Sequence, residues 1–103
     1  MRSRFSAFVR HDAAYLIRTS YPLTRARLRA GDFRASFART WTRLEITATG
    51  AGGMDDARGV VRFRAHYRDA AGDGVHDEVS RFARSAGEWV YLDDQGRLDQ
   101  PDR

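Results

Sequence analysis

Cysteine and lysine are both missing from this 103-residue chain. Without a thiol there is no disulfide framework, no thiolate zinc site and no thiol nucleophile, and cysteine usage says nothing about redox compartment. No apolar run approaches the roughly 20 residues that cross a bilayer, and the opening residues lack the apolar segment of a secretory signal. The expectation is a cytoplasmic chain with no membrane partner. No internal repeat and no low-complexity segment is visible. The missing lysine also bears on charge. All 18 basic residues are arginine against 14 acidic ones, for a net charge of +4 and a pI near 10.3. Such a balance raises nucleic acid as a partner. The arginines are scattered among aspartates rather than gathered in one block, however, and arginine in company with abundant Ala, Gly and Asp fits G+C-rich coding. Nucleic acid is therefore disfavoured.

What is present suffices for one compact domain. With 42% hydrophobic and 12% aromatic residues the chain can bury a single core, and 31% charged residues provide a polar surface. Phe5, Phe8 and Val9 follow helical spacing, which predicts a helix over 2–10. Asp12 is placed to cap a second helix, Ala13 to Thr19, whose Tyr15 and Leu16 face inward. Pro22 should stop helical continuation. Residues 25–30 read as a polar connector, followed by Gly31 as a break, Asp32 as a cap, and Phe33 and Phe37 one turn apart.

From Trp41 the period changes to two. Leu44, Ile46 and Ala48 alternate with Arg43, Glu45 and Thr47 as a half-buried strand. After a loop over 50–59, Val61, Phe63, Ala65 and Tyr67 share one face and Arg62, Arg64, His66 and Arg68 the other. "HDEVSRFAR" and "EWVYLDD" supply two further strands. Helices followed by a four-stranded meander predict an α+β fold, with the helices packed on one face of a curved antiparallel sheet. Residues 1–94 form the domain, and 95–103 read as a polar tail.

A four-residue loop, 70–73, would place Tyr67 opposite His76, Ala65 by Glu78, Phe63 by Ser80 and Val61 by Phe82. A tight Ala86-Gly87 turn would set Phe82 beside Tyr91 and Ser80 beside Asp93. On the helix-facing surface four polar side chains then sit among apolar ones. Glu78 is the first candidate for chemistry, because a carboxylate beside aromatic rings can become a general base near neutral pH. The plainer expectation is a structural ion pair with Arg4 of the overlying helix, since buried carboxylates usually find a cation. His76, on the same strand face, would complete an acid–base dyad, and Asp93 could be a further acid. Tyr15, Phe63, Tyr67, Ser80, Trp89 and Tyr91 are candidates for lining a ligand pocket. The three histidines do not cluster, so neither a metal nor a cofactor is expected.

"MRSRFSAFV", "YLIRTSYPLTR", "VVRFRAHYRD" and "HDEVSRFARSAGEWVYLDD", in this order and spacing, resemble the YchJ family of small bacterial proteins from Met1 to about Asp94. The resemblance implies a cone-shaped fold like that of nuclear transport factor 2, with helices leaning over a curved sheet and a pocket between. Typical relatives carry a cysteine-rich, zinc-binding SEC-C motif before this domain, and residues 1–103 hold none of its ligands. The chain also departs at "TSYPLT", where relatives tend to have Trp-His-Pro and here Ser20, Tyr21 and Pro22 stand. The wider superfamily of this fold contains isomerases, dehydratases, cyclases and binding domains, so fold does not choose the function. With no assembled catalytic set visible, the leading expectation is a non-catalytic binding or adaptor domain that recruits a protein or small ligand. Its rival is a small-molecule enzyme of isomerase or hydrolase type using Glu78, His76 and Asp93. Contact with nucleic acid through the Arg-rich strand face ranks third. A homodimer paired through the sheet is a candidate assembly.

Overall fold

The computed structural model describes residues 1–51, 53 and 56–96. Helix α1 spans Arg2–Arg10 and buries Arg4 and Ala7. It ends because His11 turns left-handed, at φ 57°, and the following amide of Asp12 bonds back to the Ala7 carbonyl at 2.8 Å. Helix α2, Ala13–Arg18, begins as its sequence predicts, with the Asp12 carboxylate accepting from the Tyr15 amide at 3.0 Å. Its Leu16 is fully buried. Pro22 does not merely stop a helix. It opens a new one, α3 over Pro22–Arg25, at the position where its missing N–H has no helical partner to lose. Between α2 and α3 the chain is tied to the sheet: the Tyr91 amide donates to the Thr19 carbonyl at 2.8 Å and the Tyr21 amide to the Tyr91 carbonyl at 2.9 Å. A 3-10 turn, Ala30–Phe33, and the short α4, Arg34–Phe37, follow. Asp32 caps that turn by accepting from the Arg29 amide at 2.8 Å.

Four strands, β1 Thr40–Ala51, β2 Arg58–Asp69, β3 Gly72–Ser85 and β4 Glu88–Asp93, form an antiparallel meander in the order β1-β2-β3-β4. Period-two patterning decides the faces, with Phe63 and Ala65 buried toward the helices and Arg62, Arg64 and Arg68 exposed on the other side. The Ala86-Gly87 turn adopts positive φ at both residues, 51° and 83°, which matches strand twist and sets Phe82 opposite Tyr91. The Phe8 ring meets Phe33, Phe37 and Trp41 at 6.0–6.2 Å between centroids, fastening α1 over the start of β1.

Three sequence expectations are corrected. The β2–β3 register lies two residues away from the expected one: Ala65 faces His76, Phe63 faces Glu78, Val61 faces Ser80 and Tyr67 faces Gly74. The cause is the turn. The Asp69 carboxylate accepts from the Ala71 amide at 2.9 Å, and Gly72 takes φ 115° at the exit, so a tight turn replaces the 70–73 loop. An even slip keeps every side chain on its expected face. The second correction is a bulge in the β3–β4 pairing, which puts Asp93 opposite Arg81 rather than Ser80. The third is in β1, where a register shift between Ile46 and Ala48 sets Ala48 opposite Arg62 and Thr49 opposite Val61. Thr49 rather than Ala48 thus continues the helix-facing row.

The loop expected over 50–59 is shorter at both ends, since Gly50, Ala51, Arg58 and Gly59 belong to strands. Its residues 52, 54 and 55 lie outside the described residues, as do 97–103 of the expected tail. Gln95 forms a parallel bridge with Val79, and the Gly96 amide donates to the Val79 carbonyl at 2.9 Å. Among the described residues no helix is long and apolar enough to cross a membrane.

Candidate functional site

Glu78 projects from the middle of β3 toward the helices. Three donors converge on it. His76 Nε2 lies 2.8 Å from Oε1, the Tyr91 hydroxyl lies 3.1 Å from Oε2, and the Ser80 hydroxyl donates to that same Oε2. His76 and Ser80 reach it because residues two apart on a strand share a face, and Tyr91 arrives from β4. Burial acts to raise the Glu78 carboxyl, but the bonds from His76, Ser80 and Tyr91 outweigh it and hold the group below its ordinary range. His76 is shifted up, chiefly by its bond to Glu78 and against partial burial. Burial and the neighbouring Glu78 push the Tyr91 phenol up as well.

Two chambers open under the helices, separated by Arg4 of α1 and Tyr91. The guanidinium carbon of Arg4 sits 4.5 Å from the centre of the Tyr91 ring. The narrower chamber, about 330 Å³, has Glu78 and His76 on its floor and Phe5, Phe8, Phe33, Trp41 and Phe63 among its walls. The larger one, about 420 Å³, is bounded by Tyr15, Thr19, Thr49, Val61, Phe82 and Trp89. Arg4 itself is only 6% exposed. Its Nη1 donates to the Leu16 carbonyl at 3.1 Å and to the Thr19 hydroxyl at 2.6 Å.

The structure brings some sequence candidates together and separates others. Glu78, His76, Ser80 and Tyr91 form one hydrogen-bonded group, with Phe63 beside His76 at 6.1 Å between rings. Tyr15, Trp89 and Tyr91 line the larger chamber. Tyr67 lines neither chamber. It packs edge-on against Trp41 at 5.2 Å and under Arg39 at 4.1 Å, beside a separate hollow with Arg43, His66 and Asp73. The expected ion pair of Arg4 with Glu78 does not form. The carboxylate is held by neighbours closer in the fold, and Arg4 spends its bonds on α2. Asp93 is not a pocket acid either. The bulge turns it to the outer face, where Arg81 Nε donates to it at 2.7 Å and a second guanidinium nitrogen completes a bidentate pair.

Sequence reasoning missed Arg39, Trp41 and Thr19. The one available signal was Trp41, the first aromatic of the period-two region. Arg39 and Thr19 carry no pattern that marks them.

On the outer face the basic row of β2 meets carboxylates from both neighbouring strands. Arg62 and Arg64 approach Asp77 at 3.3 and 3.5 Å, Arg68 approaches Asp73 at 2.8 Å, and Arg43 and His66 approach Glu45 at 3.4 and 2.5 Å. The row is thus a lattice of exposed ion pairs rather than an uncompensated patch. No group of three or more His, Asp or Glu side chains placed to hold a metal ion occurs among the described residues.

Comparison with known proteins agrees with this geometry. Residues 1–94 match a family model described as YchJ, middle NTF2-like domain. A UPF0225 protein of Streptomyces avermitilis is 47% identical over 93 residues, covering 90% of this chain and 61% of the relative. Another, from Geobacter sulfurreducens, is 36% identical, covering 98% of this chain and 63% of its own length. The chain therefore spans somewhat over three fifths of these relatives. Among solved structures, a SEC-C motif containing protein from Rhodopseudomonas palustris superposes with a TM-score of 0.81 at 27% identity, covering 90% of this chain and 72% of that one.

Proposed function

Because the chain belongs to the YchJ family, as its middle NTF2-like domain, and because that fold by itself selects no reaction, we propose from the site that it is a small-ligand binding domain, non-catalytic in isolation. One observation carries this reading: the carboxylate at the floor of the cone is held by three donors and kept in its charged form, while the space above it stays open. A general base must have a pKa raised toward neutrality. That of Glu78 is held below its ordinary range. Its work is to orient His76 and Tyr91, braced from beneath by the fully buried Ser80, which lines neither chamber, and this makes the floor a rigid polar platform beneath aromatic walls, the composition of a recognition pocket. An adaptor role suits the same design, with the ligand-holding cone joined to a further module such as the SEC-C motif of the Rhodopseudomonas relative.

The competing enzymatic reading keeps one supporting feature. His76 is 44% exposed at the side chain, is oriented by a carboxylate and is shifted up, so it could give a proton to a molecule in the narrower chamber. A fragment screen by amide-resolved NMR, with each hit recovered after overnight incubation, separates the two. Saturable shifts at residues of either chamber with hits recovered unchanged support binding. Consumption of a hit, abolished by His76→Gln, overturns it in favour of catalysis, and no saturable shift at either chamber ends the binding reading.

A further inference from the structure

Arg4 is buried to 94% without an acid partner: among the described residues no carboxylate lies within salt-bridge distance. Elsewhere in the fold arginines that meet carboxylates do so on the surface, as Arg62, Arg68 and Arg81 do. A guanidinium withdrawn from water is expensive unless a counter-charge accompanies it. Neutral groups serve it here only in part. Nη1 bonds the Leu16 carbonyl and the Thr19 hydroxyl, one guanidinium face lies over Tyr91, and the remaining nitrogens, with no hydrogen-bond partner among the described residues, stay open to solvent rather than sealed in the core.

The larger chamber supplies the missing context. Among the described residues that line it, Arg4 is the only charged side chain and none is a carboxylate. Ser3, Tyr15 and Thr49 line it as well, while Val61, Phe82 and Trp89 form an apolar wall. The Arg84 guanidinium lies 4.5 Å from the Trp89 ring and adds to the positive field there. A chamber of about 420 Å³ falls within the range that holds small organic ligands. Building on the binding reading above, we propose that this chamber takes a small organic carboxylate with a flat apolar body, its carboxylate on Arg4 and its body against Trp89 and Phe82. Arginine suits the task because its planar fork offers a carboxylate two parallel N–H donors. The narrower chamber, on the far side of Arg4, sets the carboxylates of Glu78 and Asp32 against the cations of Arg39 and His76, so its charges are already matched.

The test uses three phenyl-bearing probes of similar size on the whole chain, followed by amide and indole NMR: phenylacetate, its isostere phenylacetamide, and the cation phenethylamine. Phenylacetate should shift the Trp89 indole and the Ser3, Tyr15 and Val61 amides saturably, with at least tenfold tighter binding than phenylacetamide and no saturation by phenethylamine. Arg4→Met, which conserves volume and removes charge, should erase the preference for acid over amide while the amide still binds. Equal affinity for acid and amide in the unaltered chain, or a preference that survives Arg4→Met, overturns Arg4 as the anion anchor and leaves the binding reading standing. Failure of all three probes to perturb the chamber overturns this proposal, and only the broader fragment screen then decides the binding reading. Should Arg4→Met not fold, the acid–amide comparison in the unaltered chain decides by itself.

Discussion

Gly74 stands directly across from Tyr67, and a Cβ at Gly74 would lie 2.5 Å from Cζ of that ring. The ring has little room to retreat, because Trp41 meets it edge-on and Arg39 covers it at 4.1 Å. Gly74→Ala should therefore cost about 1–3 kcal/mol in urea melts, as overpacking does. In a Tyr67→Ala background the same change should cost almost nothing, since the clash is gone. An equal cost in both backgrounds would show that the strand needs glycine for another reason.

His76 and Glu78 make stability depend on pH in a bounded window. A histidine raised above its ordinary 6.5 contributes fully below that value and loses its contribution as pH rises through the folded pKa. A carboxyl lowered below its ordinary 4.5 contributes fully above that value and loses it as pH falls through the folded pKa. The stability lost in His76→Gln should thus be greatest between those two ordinary values and shrink on the alkaline side. The exposure of His76 keeps the effect below about 1 kcal/mol. Denaturant midpoints at several pH values would check it, and a gap that widens toward alkaline pH would contradict the pairing.

Truncating Leu16 and Phe82 should give unlike results although both are buried. Leu16 lines neither chamber, so Leu16→Ala opens new empty space and should cost about 3–5 kcal/mol. Phe82 already borders the larger chamber, so Phe82→Ala extends a space that water can enter, and should cost less than Leu16→Ala, about 3 kcal/mol. Equilibrium unfolding of both variants measures the difference.

Arginine substitutions should sort by surroundings. Arg62→Ala removes half of an exposed pair and should cost less than about 0.5 kcal/mol. Arg4→Ala gives up the bonds to α2 and the packing on Tyr91, and should cost about 2 kcal/mol. Arg4→Met keeps the packing and discards a buried charge, so without ligand it should match or exceed the stability of the unaltered chain. Urea melts of the three variants give the ranking, and Arg4→Met falling well below Arg4→Ala would contradict it.

How far the residues announce this structure follows from what each pattern depends on. Period two in Val61, Phe63 and Ala65 against Arg62 and Arg64 reports burial directly, so strand faces were legible. Register depends on a turn, and nothing in "DAAGDG" decides whether Asp69 will close on the Ala71 amide. Bulges leave still less trace. The one between β3 and β4 moved Asp93 from the expected site to the opposite face, beside Arg81. Glu78, His76, Ser80 and Tyr91 were legible as neighbours because alternation along β3 and the Phe82–Tyr91 pairing place them so. That Arg4 would remain unpaired was not, since the outcome rests on Ser80 and Tyr91 reaching Glu78 first.

The bonds joining Thr19 and Tyr21 to Tyr91 bear on how the protein behaves at high concentration. An open sheet has two borders, and each can recruit a strand from another molecule. On the β4 side, residues 19–21 already occupy the main-chain groups of Tyr91, so a newcomer meets a border interrupted near its middle. Adhesion by strand addition is thereby directed to β1, whose two register shifts break the straight run of donors and acceptors that an added strand needs.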